Sequence, residues 1–160
     1  MKDADFLRDL SAQPHDDALR TVYADWLEER GDLRGEYLRL ELELAGLERT
    51  DPRYAPREER LRTLRLDLNE PWLAVAGKRY DVILVDFPRE MTIGMVKILR
   101  SVVGTHINDA VRLLHEAPSV IKSHISRAEA ERICLQIETF YGGDTVSLRP
   151  VVKLQVSEPV

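Results

Sequence analysis

The pattern of apolar residues changes once along the chain, near residue 77, and that change constrains the fold more than any single motif does. Before it, apolar side chains recur at helical spacing; after it comes YDVILVDF, a β-branched and aromatic run at residues 80–87 suited to a buried strand. The clearest helical signal is Leu19, Val22, Tyr23, Trp26 and Leu27, which share the i, i+3, i+4, i+7, i+8 face. Asp16 precedes that face as an N-cap, and Gly31 follows it as a residue able to take positive φ and end the helix. An earlier short helix carries Phe6, Leu7 and Leu10 and stops before Pro14. A third, over about 34–47, carries Tyr37, Leu38, Leu40, Leu42, Leu44 and Leu47 on more than one side. Pro52 and Pro56 mark a loop, and Leu61, Leu64 and Leu68 a charged fourth helix. Pro71-Trp72-Leu73 and Gly77 stand at the change itself.

Beyond the first strand, Pro88 interrupts the extended run, and residues 92–103 return to helical period before Gly104. A second short helix is expected over about 107–115, and Pro118-Ser119-Val120-Ile121 opens a second strand. Ser126 and Glu129 have the S-x-x-E form of a capping box, starting a helix through Ala130, Ile133, Ile137 and Phe140. Gly142-Gly143 then turns the chain into a third strand at 145–148, and 151–160 reads as a tail. The expected class is α+β: an all-helical N-terminal module over 1–73, then a β-α-α-β-α-β domain over 78–150 whose three-stranded sheet is covered by helices on one face.

Charge is divided unevenly between these parts. Residues 1–70 hold 12 Lys and Arg against 18 Asp and Glu, whereas residues 71–160 hold 11 against 10. An acidic front half repels phosphate backbones, so direct nucleic-acid binding is not expected. No apolar run approaches the roughly 20 residues of a membrane-spanning helix, and the acidic start lacks the form of a secretory signal, so a cytoplasmic protein is expected. One cysteine, Cys134, allows no internal disulfide.

The second half resembles a known family in several places kept in register. YDVIL at 80–84, Val96-Lys97 and Arg100, Gly104, Ala110, Ala117-Pro118 and the helix start at 126–131 are similar to the C-terminal domain of the large-subunit ribosomal stalk protein, over about residues 79–148. The resemblance implies a surface on the domain's first helix that catches translation GTPases. Carried over, it comprises Ile93, Val96, Lys97 and Arg100, with Arg112 from the next helix. Residues 93, 96, 97 and 100 lie three and four apart, so in a helix they share a face, and two aliphatics beside two cations suit an acidic amphipathic helix of a partner. At the helix-helix turn this chain has His106, Asn108 and Val111 where the family carries a glycine and lysines, and its front half lacks the family's Ala/Gly-rich hinge.

The front half resembles something else. YADWLEERGDLRGEYLRLELEL at 23–44 is similar to a bacterial repeat-companion domain, within about residues 4–73. Trp26, Glu29, Arg30 and Arg34 form a second candidate surface there, set against the structural reading in which Trp26 is core and the charges around Gly31 pin two helices.

Catalytic patterns are absent: no P-loop, no G-x-G-x-x-G, no H-E-x-x-H and no G-x-S-x-G. His106, His115 and His124 fall nine apart without a cluster of ligands beside them, so no metal site and no cofactor are expected. Adjacent acids such as Asp16-Asp17 and Glu28-Glu29 diverge by about 100° on a helix and read as solvated faces. The leading expectation is a non-catalytic adaptor that docks another protein, of open oligomeric state. Beside it stand a translation-associated stalk-like protein that recruits GTPases and, at the level of fold analogy, a protease substrate adaptor.

Overall fold

The computed structural model describes residues 1–139 and 151–158. The chain divides into two compact units, Met1–Lys78 and Arg79–Ser157.

The first unit is built from α1 (Asp3–Ala12), α2 (Asp17–Glu28), α3 (Leu33–Ala45), α4 (Tyr54–Arg65) and α5 (Glu70–Ala76). Asp16 caps α2 by accepting the Leu19 N–H at 2.9 Å, and Gly31 takes φ 67° in the turn that follows. The apolar periodicity buries Phe6, Leu10, Tyr23, Leu27, Leu38, Leu44, Leu61 and Leu64 in one core. α5 is the element that sequence reasoning missed. Pro71 looks like a breaker, yet it falls in the first turn of α5, where a missing N–H costs nothing, and Asn69 caps the helix by accepting the Trp72 N–H at 2.8 Å. Trp72, Leu73 and Ala76 are thereby buried.

Charged groups close this core. The Arg20 side chain, 1% exposed, donates to the carbonyls of Pro14, Ala76 and Gly77. Buried Glu41 accepts the Lys78 N–H at 2.9 Å, and Lys78 Nζ pairs with Asp17 at 2.7 Å. A buried guanidinium or carboxylate is tolerated only when its hydrogen-bonding groups are met, and here backbone carbonyls and a backbone N–H meet them. Of the acids read as solvated faces, Asp17, Glu28 and Glu29 are exposed, and these faces also carry local bonds. Asp16 is a cap, Asp17 an ion-pair partner, and Glu28 binds Arg39 at 2.7 Å across α2 and α3.

The second unit runs β1 (Arg79–Asp86), a 3-10 turn (Arg89–Met91), α6 (Thr92–Ile98), a π turn (Leu99–Val103), α7 (Ile107–His115), β2 (Ser119–Ser126), α8 (Arg127–Thr139) and β3 (Val151–Val156). Its sheet has the order β2-β1-β3, antiparallel throughout. Along β1, Tyr80, Val82 and Leu84 alternate into a core shared with Met95, Leu99, Ala110, Ile125, Ala130, Ile133 and Ile137. This is the expected mixed α+β fold with a three-stranded sheet. Two details differ from the sequence reading. The helix expected over 92–103 is α-helical only to Ile98 and continues as the π turn. The segment read as a tail supplies β3, whose Val152 is buried and whose Val151–Val156 backbone pairs with β1. The third strand expected at 145–148, the Gly142-Gly143 turn and Phe140 lie outside the described residues. Ser126 does cap α8, its Oγ accepting the Glu129 N–H at 3.2 Å.

Candidate protein-docking site

The proposed docking residues sit on the helical run that follows β1. Thr92 and Ile98 bound the α-helical part; the π turn carries it on to Gly104, whose φ of 78° ends it in the left-handed region. Met95, Ile98 and Leu99 are buried, which fixes the opposite side toward solvent. Ile93 is 75% exposed there, and Lys97 and Arg100 are exposed with it. Val96 is half-buried and packs against the core at the margin of this face. Among the described residues neither Lys97 nor Arg100 is held in an ion pair, so both charges are available. Arg100 stands in the π turn, where an i+5 pattern widens the helix and turns side chains away from strict α spacing.

Arg112 belongs to a different arrangement. It lies on α7, 63% exposed, and its guanidinium pairs with Asp109 one turn earlier at 3.1 Å. Of the five residues, Ile93, Val96, Lys97 and Arg100 thus share one continuous helical run, whereas Arg112 is on the neighbouring helix with its charge engaged. Sequence reasoning missed Arg127, the one cation buried in this unit's core among the described residues. It is 4% exposed, donates to Glu131 at 2.8 Å and lies 5.4 Å from the Tyr80 ring centroid. Its position directly after the capping serine was the available signal, since that places it on the first turn of a helix packed against the sheet.

In the first unit, Trp26 packs on Phe6 and Tyr23 at centroid distances of 5.5 and 6.2 Å. Arg30 covers its outer face with the guanidinium carbon 3.8 Å from the ring centroid. Arg34 chelates Asp32 and reaches Asp3, and hydrogen bonding to Arg34 holds the Asp32 carboxyl below the usual carboxylate range. Burial pushes the Tyr23 phenol up, reinforced by its 2.6 Å bond to Asp3. Glu29 is exposed, and 3.8 Å separates it from Arg30. Trp26, Arg30 and Arg34 therefore pack around the Gly31 turn, and Glu29 lies exposed beside Arg30. Among the described residues, no group of three His, Cys, Asp or Glu side chains could hold a metal ion, and no helix is long and apolar enough to cross a membrane.

Comparison with known proteins places the second unit. Residues 80–149 match the family model of the ribosomal protein L7/L12 C-terminal domain. The large ribosomal subunit protein bL12c of Cyanidium caldarium is 37% identical over 68 residues, which is 42% of this chain and 52% of that protein. The bL12 protein of Protochlamydia amoebophila (strain UWE25) is 34% identical over 72 residues, 45% of this chain and 56% of that protein. For bL12c of Chara vulgaris the figures are 31% over 70 residues, 44% and 50%. The chain spans about half the length of these curated relatives. The family match begins at Tyr80, so it leaves the repeat-companion resemblance of the first unit as an expectation.

Proposed function

We propose that the L7/L12-type unit is a non-catalytic docking domain of a translation-associated protein, and that it receives an acidic amphipathic helix of a translation GTPase. Ile93 and the margin of Val96 supply the apolar contact, while Lys97 and Arg100 supply the charge. One observation carries this reading: the helix matching the L7/L12 domain leaves Ile93 75% exposed beside two cations with no ion-pair partner among the described residues. Desolvating an apolar side chain next to cations is favourable only against a partner that is apolar at its centre and acidic at its rim.

A second reading keeps the docking chemistry and changes the partner. The turn residues His106, Asn108 and Val111, together with an Arg112 already paired to Asp109, make this face less basic than the resemblance implies, which favours an adaptor serving a protein outside translation. The protease-adaptor option has no separate observation in its favour.

The test uses the full chain. Co-sedimentation with ribosomes, and capture of purified translation GTPases, are measured for the wild type, Lys97→Glu and Arg100→Glu. Binding that both charge reversals weaken at least about tenfold supports the proposal, because each removes one favourable charge contact and adds a repulsive one. Wild-type chain absent from the ribosomal fraction and inert toward GTPases overturns the translation reading. Binding that the reversals leave unchanged overturns the surface.

A further inference from the structure

A shallow groove of about 350 Å³ is lined by Val103, Thr105, Val120, Ile121, Lys122 and Ser123, none of them among the docking residues. Its lining holds one cation, two hydroxyls and no carboxylate. Lys122 is half-buried and, among the described residues, forms no ion pair. Among the described residues, Thr105 Oγ1 is buried without a hydrogen-bond partner. A hydroxyl taken from water and left unmet costs free energy, so a partner that met it would be favoured. One χ1 step exchanges the threonine hydroxyl with its methyl and turns it to a ligand.

The strand beneath the groove adds donors. β2 carries one residue more than β1 in two intervals: Ile121 falls between the pairings Ile83–Val120 and Val82–Lys122, and a second extra residue falls between Val82–Lys122 and Tyr80–Ile125. A bulge leaves the extra residue outside the ladder. At the second bulge the His124 N–H is taken by Asp81 Oδ1 at 3.0 Å, so Ile121 is the bulge residue that bears on the groove. β2 is also an edge strand in the order β2-β1-β3. Four consecutive residues of it line the groove although alternate side chains point to opposite faces, which places the groove along the strand's edge and its backbone.

We propose that this groove is an oxyanion subsite that takes one carboxylate or phosphoryl group, bound by the Lys122 ammonium, the Thr105 and Ser123 hydroxyls and the backbone N–H at the Ile121 bulge. A second copy of the chain pairing edge to edge is disfavoured, because antiparallel β2–β2 contact brings two Lys122 side chains together. Its residues are distinct from Ile93, Val96, Lys97 and Arg100, although Val103 shares the π turn with Arg100.

The test is a titration of the full ¹⁵N-labelled chain with sodium phosphate and, separately, sodium acetate, with ionic strength held constant by sodium chloride. Saturable shifts at the Thr105, Val120, Lys122 and Ser123 amides are expected. Lys122→Gln weakens binding about tenfold, the loss of one hydrogen bond to a charged group. Thr105→Val weakens it less, and Lys153→Gln, which removes an exposed cation elsewhere on the sheet, does not change it. Saturation by phosphate alone assigns a phosphoryl ligand, by acetate alone a carboxylate, and by both the shared oxyanion chemistry. Shifts that never saturate, or that Lys122→Gln leaves as they were, overturn the proposal. Amide dispersion in each variant reports that it is folded.

Discussion

A Cβ built on Gly35 would lie 2.7 Å from the backbone oxygen of Ala24, closer than a real side chain ever sits. The same atom would stand 2.7 Å from Glu28 Cγ, so α2 and α3 cross at a distance that only glycine permits. Gly35→Ala sets two effects against each other: alanine is the better helix former by about 1 kcal/mol, but overpacking against rigid backbone costs about 1–3 kcal/mol. Because the clash is with a carbonyl oxygen as well as a flexible side chain, the steric cost wins. Chemical denaturation of Gly35→Ala is expected to show a net loss of about 1–2 kcal/mol. Unchanged or increased stability would mean that the crossing is looser than 2.7 Å implies.

The same helices carry a pH dependence. Hydrogen bonding to Arg39 lowers the Glu28 carboxyl, hydrogen bonding to Arg60 lowers Glu36, and hydrogen bonding to Arg34 lowers Asp32. A carboxyl depressed in the folded state binds fewer protons there than when unfolded, so folding stability rises with pH across its titration. The stabilisation is complete above the ordinary carboxylate range, about pH 4–4.5, and is lost as pH falls through the lower folded values. Urea midpoints should therefore fall between about pH 5 and pH 3. Arg39→Gln and Arg60→Gln should each flatten that fall. A slope identical in wild type and both variants would show that these pairs contribute nothing across the range.

How far the sequence exposes these relationships depends on the length scale of the cause. Asp16, Gly31, Gly104 and Ser126 were legible because a cap or a left-handed turn is set within a few residues. That Ile93, Val96, Lys97 and Arg100 lie on one helical run was legible because helical periodicity alone requires it. α5 was not, since Pro71 is ambiguous until Asn69 is seen to cap Trp72. Nor was β3, because Val151–Val156 becomes a strand through pairing with β1, about 70 residues away, and not through a local signal. The Lys122 groove was equally hidden: it depends on a bulge in β2 and on Thr105 approaching that strand from another part of the chain.

Ile93 and Val96 separate docking from stability on one helix. Ile93 is 75% exposed, so Ile93→Ala should change folding stability by less than about 0.5 kcal/mol while weakening capture of whatever partner the face receives. Val96 is half-buried against the core, and Val96→Ala should cost about 1 kcal/mol as well as any binding it loses. Thermal unfolding measured beside partner capture checks both. Equal stability losses for the two variants would place Ile93 in the core and remove the exposed apolar contact on which docking rests.

Gly104 fails to accept a side chain for the opposite reason to Gly35. Among the described residues a Cβ there meets nothing within 4 Å, but the residue holds φ at 78°, where L side chains are strained. Gly104→Ala should therefore cost about 1 kcal/mol through backbone strain alone, and Gly104→Asn less, since asparagine tolerates the left-handed region better. Because the π turn ends at this residue, the strain falls on the segment that positions Arg100. Hydrogen exchange at the amides of 99–104 should rise more in the alanine variant than in the asparagine variant. A loss of stability as large for asparagine as for alanine would show that space, and not φ, selects glycine here, against the open surroundings that the backbone provides.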